Sequence, residues 1–314
     1  MKNIFINGYL GFKNFGDDLL FYTISKFINS KNKRIYYISK IPYRNLKNNF
    51  QFLDRKKIYK LINLANKDSI LINLGGIFQD LTSSLSFLYY FFVNLIFILK
   101  KSKIINISID SADLKRKLNI FLFKLILKNS YLTIFRDKIS FSNFKSYRNI
   151  FFAPDITFFT KFKNIKTKKN EWAIILKYKK NTKHLIKFFE GLNVKKKYVL
   201  MKTDYLKLKK FLKNKNIFIY DGNINSFIKT IIESSLVISM RYHPLIICLK
   251  YFKPFVIISD ENKLKNFAKT FNLKIFNLDK KNIDYLKIND YINTCKINYR
   301  KYWNMLNLKR FLNR

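Results

Sequence analysis

The stretch Arg241-Tyr242-His243-Pro244 places one of the chain's two histidines two residues after one of its ten arginines. The apolar run 236–240 before it predicts a strand. The run 245–249 after it predicts a helix, with Pro244 suited to the first turn. Free N–H groups at a helix start attract anions, an arginine grips a carboxylate or phosphate through two nitrogens, and an imidazole moves protons near neutral pH. The combination predicts a reaction centre for an anionic substrate. The competing reading is a chance Arg-x-His on a loop with a structural histidine. The other histidine, His184, opens a polar, lysine-rich helix and reads as a surface residue.

Glycine placement favours the first reading. The chain has seven glycines, and five fall in two loops: Gly8, Gly11 and Gly16 in one, Gly75 and Gly76 in the other. Each loop follows an apolar strand pattern, over 3–7 and 70–74, and precedes a helical one. A chain this poor in glycine keeps it where the backbone turns with positive φ or approaches a ligand. The first loop ends in Gly16-Asp17-Asp18, so it is neither a dinucleotide fingerprint nor a Walker loop. Asp17 and Asp18 are candidate proton movers or ligand contacts, or simply favourable charge in the first turn of a helix.

Those residues need a frame, and the alternation of patterns supplies it. Strands are expected over 2–7, 34–39, 69–74, 103–108 and 131–135, with helices between them. The polar segment 161–170 reads as a linker. A second series follows, with strands near 172–177, 198–201, 217–220, 236–240 and 255–258, and then a terminal helix over 290–314 able to pack back on the first domain. Short apolar runs without alternation mean strands buried on both faces, hence parallel sheets. The expected fold is α/β, with two doubly wound parallel-sheet domains over 1–158 and 171–289 facing across a cleft.

Composition narrows the partners. The formal net charge is +43, from 62 basic and 19 acidic residues. Because 52 of the 62 are lysine, and Asn, Ile, Phe and Tyr are abundant too, the excess reflects an AT-rich coding sequence rather than arginine clusters that read nucleic acid, so no nucleic-acid partner is expected. The charge still favours phosphorylated ligands and peripheral contact with an anionic membrane. Cys248 and Cys295 show no metal-ligand spacing, no metal or cofactor is expected, and a reducing cytoplasm fits. The chain runs straight into a strand, leaving no room for a signal peptide. The longest apolar segment, 85–99, is shorter than the ~20 residues that span a bilayer and reads as a buried helix.

Taken in order, Asn14-Phe15-Gly16-Asp17, Gly75-Gly76-Ile77-Phe78-Gln79-Asp80, Phe135-Arg136-Asp137 with Ser140, Ala153-Pro154-Asp155 and Ser239-Met240-Arg241-Tyr242-His243 resemble the motifs of the polysaccharide pyruvyl transferase family. Lys253-Pro254-Phe255-Val256 and Asn262-Lys263-Leu264 extend the likeness, which covers residues 1–273. It implies the two-domain GT-B glycosyltransferase architecture. It also implies transfer of an enolpyruvyl unit from phosphoenolpyruvate to two hydroxyls of a glycan or lipid-linked glycan, leaving a cyclic ketal and phosphate. On that chemistry His243 and Asp17 are the expected general acid and base, and Arg241 and Arg136 the expected cations for the donor. Gly16, Asp18, Gly75 and Gly76 are expected to line the substrate. Two departures stand out: 107–112 has no glycine where relatives carry a glycine-rich loop, and Lys177 stands where relatives tend to have arginine. A nucleotide-sugar glycosyltransferase of the same architecture, or a catalytically silent glycan-binding member, remains an alternative.

Overall fold

The structure, a computed structural model, describes residues 2–276 except 29–32, 44–45, 47–48, 82, 161 and 163–170. The chain divides into two compact units, Met1–Thr160 and Lys161–Arg314. The segment expected as a linker, apart from Phe162, and the expected terminal helix over 290–314 lie outside the described residues.

The first unit runs β1 (Lys2–Asn7), α1 (Phe15–Phe27), β2 (Lys33–Ser39), β3 (Phe50–Asp54), α2 (Tyr59–Leu64), β4 (Ile70–Leu74), α3 (Ser84–Leu99), β5 (Lys103–Ile109), α4 (Lys117–Lys128), β6 (Leu132–Phe135), α5 (Lys138–Phe144) and β7 (Ile150–Phe152). Its strands form one parallel sheet in the order β3-β2-β1-β4-β5-β6-β7. The second unit runs β8 (Glu171–Ile175), α6 (Thr182–Glu190), β9 (Lys195–Met201), α7 (Lys202–Leu208), β10 (Ile217–Tyr220), α8 (Ile224–Glu233), β11 (Leu236–Ser239), α9 (Tyr242–Lys250), β12 (Phe255–Ile258), α10 (Asn262–Thr270) and β13 (Ile275–Phe276). These strands form a second parallel sheet, β10-β9-β8-β11-β12-β13. Both are doubly wound.

Alternate strand residues point to opposite faces, so an unbroken apolar strand feeds two cores. Ile4, Ile6, Ile35 and Tyr37 pack with Phe21 and Ile24 of α1. Their neighbours Phe5, Tyr36, Ile38 and Leu71 pack with Leu61 of α2 and with Val93 and Phe97 of α3. Fully burying a side chain such as Phe97 contributes about 1.5–3 kcal/mol. Sequence reading missed β3 and β7, since both are short edge strands with exposed rings, Phe52 and Phe151, in place of a continuous apolar run.

One row of the first sheet is polar. Asn7 donates to Asn73 Oδ1, and Asn73 donates to the Oδ1 atoms of Asn94 and Asn106, each at 2.8 Å. Asn106 then donates to Ser130 and Thr133 at 2.9 and 2.8 Å. Four of these residues sit at matched positions: Asn7 opposite Asn73, Asn73 opposite Asn106, and Asn106 opposite Thr133. A buried amide is costly unless bonded, so the row fixes the register of four strands directly beneath their carboxyl ends.

The strand order reverses between β1 and β4 in the first unit and between β8 and β11 in the second. Loops leaving two such strands in opposite directions open a crevice at their carboxyl ends. The glycine loops follow β1 and β4, and Arg241 follows β11.

Candidate functional site

In the first unit the loop after β1 is held by a short relay. Gly11 N donates to Tyr43 Oη at 3.0 Å, and that hydroxyl donates to buried Asp18. Burial and the Asp18 charge push the Tyr43 phenol far above its ordinary value, so it stays a donor. Gly11 has φ 77°, and a Cβ there would stand 2.7 Å from Ile41 N and closer still to Ser39 Oγ. Asn14 caps α1 by accepting from Gly16 N, which leaves Asp17 and Asp18 in the first turn of the helix.

The second glycine loop comes up against the first. Gly75 has φ 73°, and a Cβ on it would lie 2.8 Å from Leu20 Cδ1 and 3.5 Å from Asp17 Oδ1. A Cβ on Gly76 would lie 3.0 Å from Asp110 Oδ2. The structure therefore brings Gly16, Asp17, Asp18, Gly75 and Gly76 to one switch point. Asp80, at the end of the same loop, takes a structural part: it accepts from Lys115 N at 3.1 Å, Arg116 N at 2.9 Å and Asn119 Nδ2 at 3.0 Å, closing the start of α4.

Arg136 sits deeper than an anion clamp on an open surface. Its Nη1 donates to Asp155 Oδ2 at 2.8 Å, and its Nε and Nη2 donate to Asp110. Asp155 also accepts from Thr157 N and Oγ1. The two carboxylates more than match the guanidinium charge, so Arg136 is positioned to organise the wall made by the loops after β5, β6 and β7. Asp137 does not pair with it as a simple helix-start ion pair would. It caps α5 through Ser140 N at 2.8 Å, and burial pushes its carboxyl above the ordinary value. In the glycine-free segment 107–112, Ser108 lies near the end of β5 at a register irregularity, where it takes φ 56° and its hydroxyl accepts from Ile156 N at 2.8 Å.

Sequence reasoning missed Arg55. It stands just past the end of β3, with its guanidinium carbon 4.3 Å from the Tyr89 ring centre, 4.9 Å from Phe12 and 5.9 Å from Tyr90. Phe12 is stacked on half-exposed Tyr9, ring centres 4.0 Å apart. Among the described residues Arg55 forms no ion pair. Burial pushes the Tyr89 phenol up to about 12 even beside that cation. A guanidinium stacked on aromatic faces still has its N–H donors directed outward in its own plane, a geometry able to meet an anion. The available signal was its place after a strand, hidden because β3 itself was not recognised.

In the second unit Arg241 is the N-cap residue of α9, and its backbone is fixed by Ser239, whose hydroxyl accepts from Arg241 N at 3.0 Å and donates to Arg241 O at 2.9 Å. Its Nη2 pairs with Asp204, which also accepts from Tyr178 N at 2.9 Å, while Nε is buried with no hydrogen-bond partner. His243 follows in the first turn, buried, its ring edge-on to Tyr242. Lys177, two residues past β8, pairs with Glu261, and Lys179 lies 3.2 Å from Asp260 and 3.5 Å from Glu261. Burial would raise the Glu261 carboxyl, but Lys177 and Lys179 outweigh it and hold the group below its ordinary value. The cluster at this switch point can orient an anion and move a proton.

The family model for polysaccharide pyruvyl transferase matches residues 14–262, from the Asn14 cap past the Lys177–Glu261 pair. No curated protein matches the chain. Among solved structures, the UDP-GlcNAc 2-epimerase of Methanocaldococcus jannaschii with UDP-GlcNAc and UDP aligns at 14% identity and TM-score 0.62, over 92% of each chain. The MnaA–UDP complex of S. aureus aligns at 14% identity and TM-score 0.62, over 97% of this chain and 90% of the other. At that identity the likeness establishes the GT-B type of α/β fold, and the reaction has to be argued from the residues.

Proposed function

Because this chain belongs to the polysaccharide pyruvyl transferase family, we propose that it transfers the enolpyruvyl unit of phosphoenolpyruvate to a glycan or lipid-linked glycan. The family match through both switch points carries this reading. Protonation of the donor at C3 makes C2 electrophilic. One sugar hydroxyl bonds to C2 as the C2–O bond to phosphate breaks, and a second hydroxyl closes the ketal. Of the two hydroxyl protons, one is balanced by the C3 methyl and the other by phosphate.

His243 and Asp17 are the proposed proton movers, each at the switch point of its own unit. Arg241 offers its buried Nε and the adjacent helix start to a donor anion. In the first unit Arg55 adds a cation that forms no ion pair among the described residues. Gly16, Gly75 and Gly76 are proposed to line the substrate beside Asp17, with Leu20 and Asp110 packed where Gly75 and Gly76 lack a Cβ, and Asp18 holds the first loop through Tyr43. Arg136, already paired twice, acts by fixing the wall.

The test is phosphate release from phosphoenolpyruvate with a glycan acceptor, alongside thermal melts with either donor class. A ligand that binds only the folded state raises Tm. Phosphoenolpyruvate is expected to raise it and UDP-sugars to leave it unchanged. The opposite pattern would assign the chain to nucleotide-sugar chemistry, the class of ligand held by the two structures of similar fold.

A further inference from the structure

Helix α3 has a solvent face of the wrong chemistry for water. Its sixteen residues include no charged side chain. Phe87, Val93 and Phe97 face the core, yet the opposite stripe is apolar as well, with Leu85 78%, Phe92 52% and Leu99 72% exposed at heptad spacing. A surface helix normally turns polar residues outward. Here the neighbouring helices continue the apolar surface: Tyr59 and Ile62 are exposed on α2, Leu118 and Phe121 on α4. Between α2 and α3 lies a groove of about 390 Å³ lined by Ile58, Tyr89, Phe92, Leu95, Ile96 and Leu99. Tyr89 is also the ring under Arg55, so this face reaches the switch point of the same unit.

Charge identifies the occupant. Helices α2, α3 and α4 contain no Asp or Glu, while Lys60, Lys117, Lys124 and Lys128 lie on them and Lys100 and Lys101 follow α3. Among the described residues none of these lysines meets a carboxylate. Protein interfaces are depleted in lysine at their cores, whereas lysines interleaved with exposed Leu and Phe suit the headgroup and acyl boundary of an anionic bilayer. No helix among the described residues is long and apolar enough to cross a membrane, and α3 is fixed to the sheet along its other side. We infer that the α2–α3–α4 face of the first unit docks on an anionic membrane. Leu85, Phe92 and Leu99 enter the acyl boundary and the lysines meet lipid phosphates.

The inference rests on this face and not on the donor, so it is tested on the full chain without phosphoenolpyruvate. Cosedimentation is measured with phosphatidylcholine vesicles, with and without phosphatidylglycerol. Binding to the anionic vesicles is expected to exceed binding to neutral ones by about tenfold or more, and to fall only in part as salt is raised. Phe92→Asp with Leu99→Asp should lose about tenfold or more in vesicle affinity, while Leu206→Asp, an exposed site in the second unit, should lose none. Lys60→Gln with Lys124→Gln, which leaves the apolar core untouched, should weaken binding and flatten its salt dependence. Leu99→Trp should show a blue-shifted emission on anionic vesicles. Unchanged binding in both the Asp and the Gln variants would overturn the proposal. So would a shift of the Asp variant from dimer to monomer with its vesicle binding intact, since the face would then belong to a second copy.

Discussion

Arg136 Nη1 stands 2.8 Å from Asp155 Oδ2, and the two side chains are 1% and 0% exposed. The residues come from loops after different strands, β6 and β7, so this bond joins two edges of the wall behind the glycine loops. Asp110, after β5, completes the group from the other side.

Removing the guanidinium leaves two buried carboxylates facing each other. Arg136→Leu should therefore lower unfolding free energy by about 3–5 kcal/mol, measured by urea denaturation. Arg136→Lys should recover only part, because one ammonium cannot serve both carboxylates in the guanidinium geometry. A stable Arg136→Leu protein with a raised KM for phosphoenolpyruvate would instead return Arg136 to direct donor binding.

His243→Ala should lower phosphate release by about 10²-fold or more, as expected for loss of a general acid or base, with the far-UV circular dichroism of the parent. Asp17→Asn should behave similarly. Near-parental turnover in both variants would remove proton transfer from these positions.

Asp80 closes the N-terminus of α4 with three accepted hydrogen bonds, so Asp80→Ala should cost about 1–2 kcal/mol near neutral pH. Burial alone would raise its pKa, but the N–H of Arg116, the Asn119 amide and the N–H of Lys115 hold it below the ordinary value. A depressed carboxylate adds stability that is complete above its unfolded pKa, about 3.9, and is lost as pH falls through the folded value. The Tm gap between parent and Asp80→Ala should narrow below about pH 4. A gap constant down to lower pH would mean that the carboxylate's charge contributes nothing.

Gly11→Ala combines a left-handed φ with a Cβ 2.7 Å from the backbone nitrogen of Ile41. The φ alone costs about 1–2 kcal/mol, and the clash adds to it. At Gly75 the nearest atom is the movable Leu20 Cδ1, so Gly75→Ala should fold more readily. It should still perturb Asp17 and lower activity. Equal stability of the two variants would show that the loop after β1 has more freedom than its contacts imply.

Much of the first site was legible because glycine is rare here and its exceptions mark the turns. The acidic pair after Gly16 and the Arg-x-His after β11 were likewise visible as types at strand ends. The partners of the arginines were not. Asp110 precedes Arg136 by 26 positions and Asp204 precedes Arg241 by 37, and no periodicity links residues so far apart. Arg55 stayed hidden because an edge strand has no continuous apolar run to reveal it.

The sequence by itself determined the parallel α/β class, since unbroken apolar strands separated by helical patterns have two faces to bury, and it marked the turns at Gly11 and Gly75, which take positive φ, but not those at Lys13 and Ser108, which take it without glycine. Tertiary structure alone decided how polar residues inside those strands are satisfied. Asn7, Asn73 and Asn106 look like blemishes in three separate apolar runs, and only the parallel register sets them side by side to bond one another. It alone also decided that α3 is a surface helix. An uncharged apolar segment reads as buried all round, and only packing against one face of the sheet leaves Leu85, Phe92 and Leu99 turned outward.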